Sequence, residues 1–264
     1  MPDLVVTTSR SVSGTRLAEA AAWAERLGAP LVDRADLRLA ALAAAHGVAG
    51  VLVVGGDRVA YYEPARDLTY FYHPGMARTR VRNLQSGRGD PLVTALRLQP
   101  GDRVLDCTLG RATDAIVASW VVGPAGRVVG LEKMPLLACL TVEGLQHYQI
   151  APPDLEAAMR RVEAHRADYH DFLPAQPDGA FEVVYFDPLF DRPVEASSGM
   201  APLRPLASPE PVTAAAVHEA LRVARRCVGI KQRRASPLWA DLPFPVTLIS
   251  GGHSTIEYGV VEAL

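Results

Sequence analysis

The sequence predicts an α/β fold: an open, mostly parallel sheet covered by helices on both faces, preceded by a small α/β unit. Two observations carry this prediction. From residue 103 onward, short apolar runs alternate with helix-patterned stretches, the arrangement that builds a parallel sheet buried on both sides. Ahead of them, the first 66 residues carry a strand and helix pattern of their own, set off by an arginine- and aromatic-rich stretch over 67–90.

In the first unit, LVVTT at 4–8 reads as a strand. Residues 15–27 read as a helix, with Leu17, Ala20, Ala21, Ala24 and Leu27 on one face and Gly28 as its stop. The spacing predicts a second helix from Asp36 to Ala45, closed by Gly47. VAGVLVVGGDRVAYYEP reads as two strands across a turn at Gly55 to Asp57. The stretch DLTYFYHPGMARTRVRNLQSGRGD, 67–90, reads as a linker between this unit and a main domain over 91–264.

In the main domain, strands are expected at 103–108, 127–132, 162–167, 181–187 and 226–231. Helices are expected at 112–122, from Pro135 to about Tyr148, and at 211–225. VTLISG and STIEYGVVEA close the chain as an antiparallel pair, giving the sheet a mixed edge.

The 264 residues are 49% hydrophobic and 21% charged, with a formal charge of −2, so no global basic footprint marks a nucleic-acid binder. A nucleic-acid site here has to be a local patch. The three cysteines, Cys107, Cys139 and Cys227, are far apart and form no CxxC pair. That predicts reduced thiols, no disulfide framework and no structural zinc. His165, His170 and His253 lack partners at ligand spacing, so no metal is expected. No apolar run reaches the ~18 residues of a membrane span, and the start of the chain lacks a signal-peptide pattern. The expectation is a cytoplasmic protein away from the membrane.

Open parallel sheets bind ligands beyond the carboxyl ends of their strands. Here those ends read Asp106-Cys-Thr108-Leu-Gly110, Leu131-Glu132, Arg-Ala-Asp168 and Asp187-Pro188-Leu189-Phe190. Gly110 lets the backbone approach a ligand or take a positive φ. The turn has one glycine and acids on both sides, Asp106 and Asp114, where a dinucleotide site would carry G-x-G-x-x-G for a pyrophosphate. A ligand with cationic groups and no phosphate suits it better. S-adenosylmethionine, with its amino group and sulfonium, is such a ligand. Glu132, about 20 residues on, can accept ribose hydroxyls or stand as a solvated strand end. Asp114 reads equally as a ligand contact or as a first-turn acid answering the helix dipole. In VVYFDPLF, Asp187 can accept a hydrogen from an extruded amine, Pro188 fixes the local backbone, and Phe190 can stack on a base.

Together, DCTLGRATDAIVAS, VVGLEKMPLLACLTVEGL and VVYFDPLF resemble the class I S-adenosylmethionine-dependent methyltransferases. They are most similar to the J-type small-subunit ribosomal RNA guanine-N2 methyltransferases and their Gram-positive relatives. The resemblance covers about 67–264 and includes FYHPGM. It implies a Rossmann-like fold with a mostly parallel seven-stranded sheet, S-adenosylmethionine as methyl donor, and ribosomal RNA or the small ribosomal subunit as partner. It further implies that Asp106, Thr108, Gly110, Arg111, Asp114, Glu132, Lys133 and Asp168 bind the donor, and that Asp187, Pro188 and Phe190 serve the reaction. Ala112 departs from the family, which more often has glycine there.

Two basic groups invite an RNA reading: Arg78, Arg80, Arg82 and Arg88 before the sheet, and Lys231, Arg233 and Arg234 after a strand. Each can equally be a solvated face. YFYHP, with His73, can stack on bases or plug a domain junction. The N-terminal unit is compatible with guiding RNA, covering the cleft or forming a homodimer. Methyl transfer to a small molecule, a protein or DNA adenine competes with the RNA reading, as does a non-catalytic donor-binding protein.

Overall fold

The computed structural model describes residues 3–10, 13–190, 203–251 and 254–263. His253 lies outside them. The chain divides into two compact units, one running to His73 together with 203–206 and the other holding the remaining described residues.

The first unit is a four-stranded sheet in the order β1-β2-β3-β4, with β1 (Leu4–Thr8), β2 (Gly50–Val54), β3 (Val59–Glu63) and β4 (Leu68–Phe71). β1 and β2 run parallel and the later pairs are antiparallel. Helix α1 (Gly14–Leu27) starts where the Ser13 side chain accepts from Arg16 N, and it buries Ala20, Trp23, Ala24 and Leu27. Helix α2 (Leu39–His46) begins three residues later than Asp36, because Ala35 turns the chain at positive φ and Leu37 N donates back to Arg34 O.

The 67–90 stretch is not a linker. Leu68 and Tyr70 are buried while Thr69 and Phe71 are exposed, a period of two that seats β4 beside β3. Further along, α3 (Ala77–Gln85) buries Ala77 and Val81. Aromatic and arginine content masked both periodicities.

The second unit opens with α3 and α4 (Pro91–Leu96) and then alternates. In order come β5 (Arg103–Asp106), α5 (Thr113–Val122), β6 (Arg127–Glu132), α6 (Pro135–His147), α7 (Pro153–Arg160) and β7 (Val162–Arg166). There follow α8 (Tyr169–Phe172), β8 (Phe181–Phe186), α9 (Ala214–Val223), β9 (Ala224–Arg233), α10 (Leu238–Asp241), β10 (Thr247–Ser250) and β11 (Ile256–Glu262). The seven strands lie in the order β10-β11-β9-β8-β5-β6-β7. β5 to β9 are parallel, and β11 runs against both its neighbours.

Alternate strand residues take opposite faces. Leu105, Val129, Val184 and Val228 pack with Val217 and Ala220 of α9. On the other face Cys227 Sγ lies 4.0 Å from Leu96 O of α4, so the sheet is covered on both sides. The chain order reverses at β5, with β6 on one side and β8 on the other. A crevice forms beyond the carboxyl ends at such a switch point.

Candidate active site

Asp106 and Glu132 end β5 and β6, Asp187 directly follows β8, and Asp168 lies two residues past β7. Asp106 ends β5 and is buried; its Oδ1 accepts from Thr108 N at 3.0 Å. It makes no ion pair among the described residues. Burial pushes its carboxyl well above the usual range, against the Thr108 hydrogen bond, and the nearby Asp114 and Asp187 charges add to the effect. Lys231 pulls the other way.

The turn that follows is held from the neighbouring strand. Gly110, at φ 53°, donates its N–H to Glu132 Oε2 at 3.0 Å, and its carbonyl accepts from Thr141 Oγ1 of α6 at 2.7 Å. Glu132 Oε1 accepts from Met134 N at 2.8 Å. Burial raises the Glu132 carboxyl, opposed by these backbone donors. Each oxygen keeps a lone pair for a ligand hydroxyl. Leu109 leans on β6 at Gly130, where a Cβ would come within 2.3 Å of Leu109 Cδ1. Ala112 carries the left-handed conformation, φ 62°, that opens α5 without a side-chain cap. Arg111 stands beside Gly75 of the HPGM stretch, and Thr113 Oγ1 donates to Pro74 O at 3.1 Å.

On the other side of β5, Asp187 follows β8. Its backbone N–H donates to Thr108 Oγ1, so the two turns are tied together. Its Oδ2 takes Lys231 Nζ from β9 at 2.7 Å. Burial pushes the Asp187 carboxyl up to about 6, with Lys231 pulling down and Asp114 pushing up. Pro188 is buried, while Leu189 and Phe190 are partly so.

Three of the expected donor contacts, Asp114, Lys133 and Asp168, carry ion pairs of their own. Asp114 receives the Arg80 guanidinium, Lys231 Nζ at 3.0 Å and Tyr185 OH at 3.0 Å. Burial alone would raise its carboxyl, but Lys231 and Arg80 hold it well below the usual carboxylate range. Arg80 also makes two bonds of 2.8 Å to Asp90, the N-cap of α4. Arg80 and Lys231 are therefore not phosphate-facing cations. A buried charge has to be answered locally, and here acids from other elements answer both. Lys133 likewise bridges Asp168, at 2.8 Å, and Glu210, at 2.7 Å. Asp168 caps α8 by accepting from His170 N at 2.9 Å. Arg78, Arg82, Arg88 and Arg234 are exposed, as is His73; Arg233 is partly buried.

A cleft of about 270 Å³ opens beside this turn, on the β8 and β9 side, lined by Pro188, Leu189, Val212, Gln232, Leu238 and Asp241 among others. Sequence reasoning missed Gln232 and Asp241; the former sits inside IKQRRASP, whose cations drew the attention. Phe190 is not among the lining residues. No three His, Cys, Asp or Glu side chains converge as a metal site among the described residues.

The donor side thus offers a buried, unpaired carboxylate, a second carboxylate with spare lone pairs, and a single-glycine turn bearing no phosphate cradle. A ligand with an amine cation and a ribose diol fits these residues, and S-adenosylmethionine is such a ligand.

Comparison with known proteins agrees. Residues 63–245 match the family described as "Putative SAM-dependent methyltransferase". The chain is 39% identical over 212 residues to the uncharacterized protein YpiP of Bacillus subtilis (strain 168), covering 80% of this chain and 81% of that protein. It is 30% identical over 247 residues to Ribosomal RNA small subunit methyltransferase J of Pseudomonas aeruginosa (strain LESB58), covering 92% and 90%. The fold is like that of the SAM-dependent methyltransferase NGO1261 from Neisseria gonorrhoeae, with a TM-score of 0.63, 18% identity, and 98% and 95% coverage. The chain belongs to the class I SAM-dependent methyltransferases: it is an enzyme that uses S-adenosylmethionine and is related to the J-type ribosomal RNA methyltransferases.

Proposed function

We propose that this enzyme methylates the exocyclic N2 amine of a guanine in small-subunit ribosomal RNA. The observation that carries the reading is the Asp187-Pro188 turn, tied to Thr108 of the donor turn and opening onto a cleft on its far side. Likeness to a ribosomal RNA methyltransferase over nearly the whole chain supports the substrate class.

Asp106, Gly110 and Glu132 hold the donor, which when bound supplies an electrophilic methyl group on a sulfonium. The protein's remaining task is to present the acceptor nitrogen in line. A guanine amine lone pair is delocalised into the ring. Asp187 Oδ1, left over while Oδ2 is held by Lys231, accepts an amine hydrogen, and the Pro188 carbonyl accepts the second. Both contacts strengthen as the nitrogen becomes positive, so they favour the transition state over the ground state. The proton shed by the methylated amine leaves through Asp187 Oδ1 to water. Arg78, Arg82, Arg88 and Arg234 are exposed cations suited to phosphate contacts that position the RNA while the cleft selects the base.

The test is transfer of tritiated methyl groups to small ribosomal subunits from a strain lacking the gene, followed by nucleoside analysis. Labelled N2-methylguanosine supports the reading. Donor binding by calorimetry with no label on RNA overturns it.

A further inference from the structure

The cleft beyond Pro188 has polar walls as well as apolar ones. Pro188, Leu189, Val212 and Leu238 suit the face of a flat ring. Gln232 is 4% exposed, yet only one end of its amide is used. Its Oε1 accepts from Arg233 N at 2.9 Å, which fixes the amide's orientation. Nε2 has no partner among the described residues, so a donor is left on the cleft wall. This donor is not sealed from solvent, so a ligand acceptor can reach it. Across the loop, Asp241 contributes a carboxylate that makes no ion pair among the described residues and can only accept when ionised.

This wall is built before any ligand arrives. Glu257 of β11 sits opposite Gln232 in the sheet register. Its Oε1 accepts from Ala235 N at 2.9 Å and from Trp239 Nε1 at 2.7 Å. Arg234 N donates to Thr255 O at 2.9 Å. The segment leading into α10, which ends at Asp241, is therefore tied to Glu257 of β11 and to Thr255 just before it.

The cleft offers an acceptor at Asp241 and a donor at Gln232 Nε2, and Asp187 directly precedes its lining residue Pro188. Guanine offers the complement along its Watson–Crick edge, with the N2 amine, the N1–H donor and the O6 acceptor. Adenine and cytosine put a ring-nitrogen acceptor beside the amine, which Asp241 would repel. We infer that this cleft is the acceptor-base pocket, and that Gln232 and Asp241 are specificity-determining residues that read guanine O6 and N1–H. The inference rests on the guanine reading above and adds the residues that make the choice.

The test uses ribosomal RNA fragments assembled into small subunits and carrying either guanosine or 2,6-diaminopurine riboside at the methylated position. The analogue keeps the N2 amine but turns N1 into an acceptor and O6 into a donating amine. A site built around hydrogen bonds rejects such a mismatch by about a hundredfold or more in kcat/KM. Gln232→Glu preserves the acceptor for Arg233 N and turns the donor into an acceptor. It should narrow the preference at least about tenfold or reverse it. Asp241→Asn, at an exposed position, should narrow it as well, because its amide can donate to N1. Donor affinity by calorimetry checks each variant's fold, and Asp241→Asn decides alone if Gln232→Glu fails that check. Folded variants that keep the full wild-type preference overturn the assignment of the two readers. Wild-type enzyme that binds donor but labels neither RNA overturns the guanine reading itself.

Discussion

Lys231 Nζ lies 2.7 Å from Asp187 Oδ2 and 3.0 Å from Asp114 Oδ2, so one ammonium bridges the reaction turn and the first turn of α5. The groups around Asp187 are Lys231 of β9, Asp114 of α5, Asp106 of β5, Tyr185 of β8, Tyr258 of β11 and, through Asp114, Arg80 of α3. In the proposed mechanism Asp187 accepts in its ionised form. Activity is therefore expected above about pH 6 and lost as pH falls through that value. Lys231→Met removes an opposite charge and should move the acid limb of kcat to higher pH. Asp114→Asn removes a like charge and should move it to lower pH. Shifts in opposite directions, read from pH–rate profiles with saturating donor, distinguish electrostatic control from general loss of structure.

Glu132 holds the Gly110 turn and, in the proposed function, a ligand hydroxyl as well. Glu132→Gln replaces one acceptor oxygen with a donor facing backbone N–H groups. Hydrogen bonds to a charged group contribute about 1.5–3 kcal/mol, so donor affinity should fall about tenfold to a hundredfold. Calorimetry with S-adenosylmethionine measures it, and unchanged affinity would remove Glu132 from the donor site.

Gly130 shows how the donor turn depends on β6. A Cβ there meets Leu109 Cδ1 at 2.3 Å, while Leu109 N is anchored on Leu131 O at 2.8 Å. Gly130→Ala should destabilise the fold by about 1–3 kcal/mol through overpacking and weaken donor binding with it. Adding Leu109→Val should recover part of both. Urea unfolding and calorimetry on the single and double variants provide the check.

Ala112 sits at φ 62°, ψ 21°. Left-handed backbone costs a residue with a Cβ about 1 kcal/mol, a strain glycine escapes. Ala112→Gly should therefore raise stability by up to about 1 kcal/mol, offset in part by glycine's greater freedom in the unfolded chain. The melting temperature should rise by a degree or two, and a fall would show that the methyl group packs productively.

The parts of this molecule legible in the sequence are those whose signal is local. β5, β6 and β8 are dense apolar runs, each closed by an acid at or just past its end, and Asp106, Glu132 and Asp187 stand at the carboxyl ends of three neighbouring parallel strands. The chain's partnerships were less legible because they are not local. Arg80 and Asp114 are 34 residues apart, and Lys231 and Asp114 are 117. Read singly, each cation looks like a phosphate contact. β4 and α3 were hidden for another reason: tyrosines and arginines bury their stems and rings while looking polar in composition.

The Asp114 cluster also sets a timetable for the making of the protein. A ribosome delivers Asp106, Asp114 and Asp187 well before it delivers Lys231. Until β9 is made, Arg80 and the Tyr185 hydroxyl answer Asp114, and Lys231 is not yet there for Asp187. A chain ending short of β9 lacks the ammonium that joins Asp187 to Asp114. β9 is the last of the parallel strands to be made, so the ion cluster closes only when the parallel part of the sheet is whole.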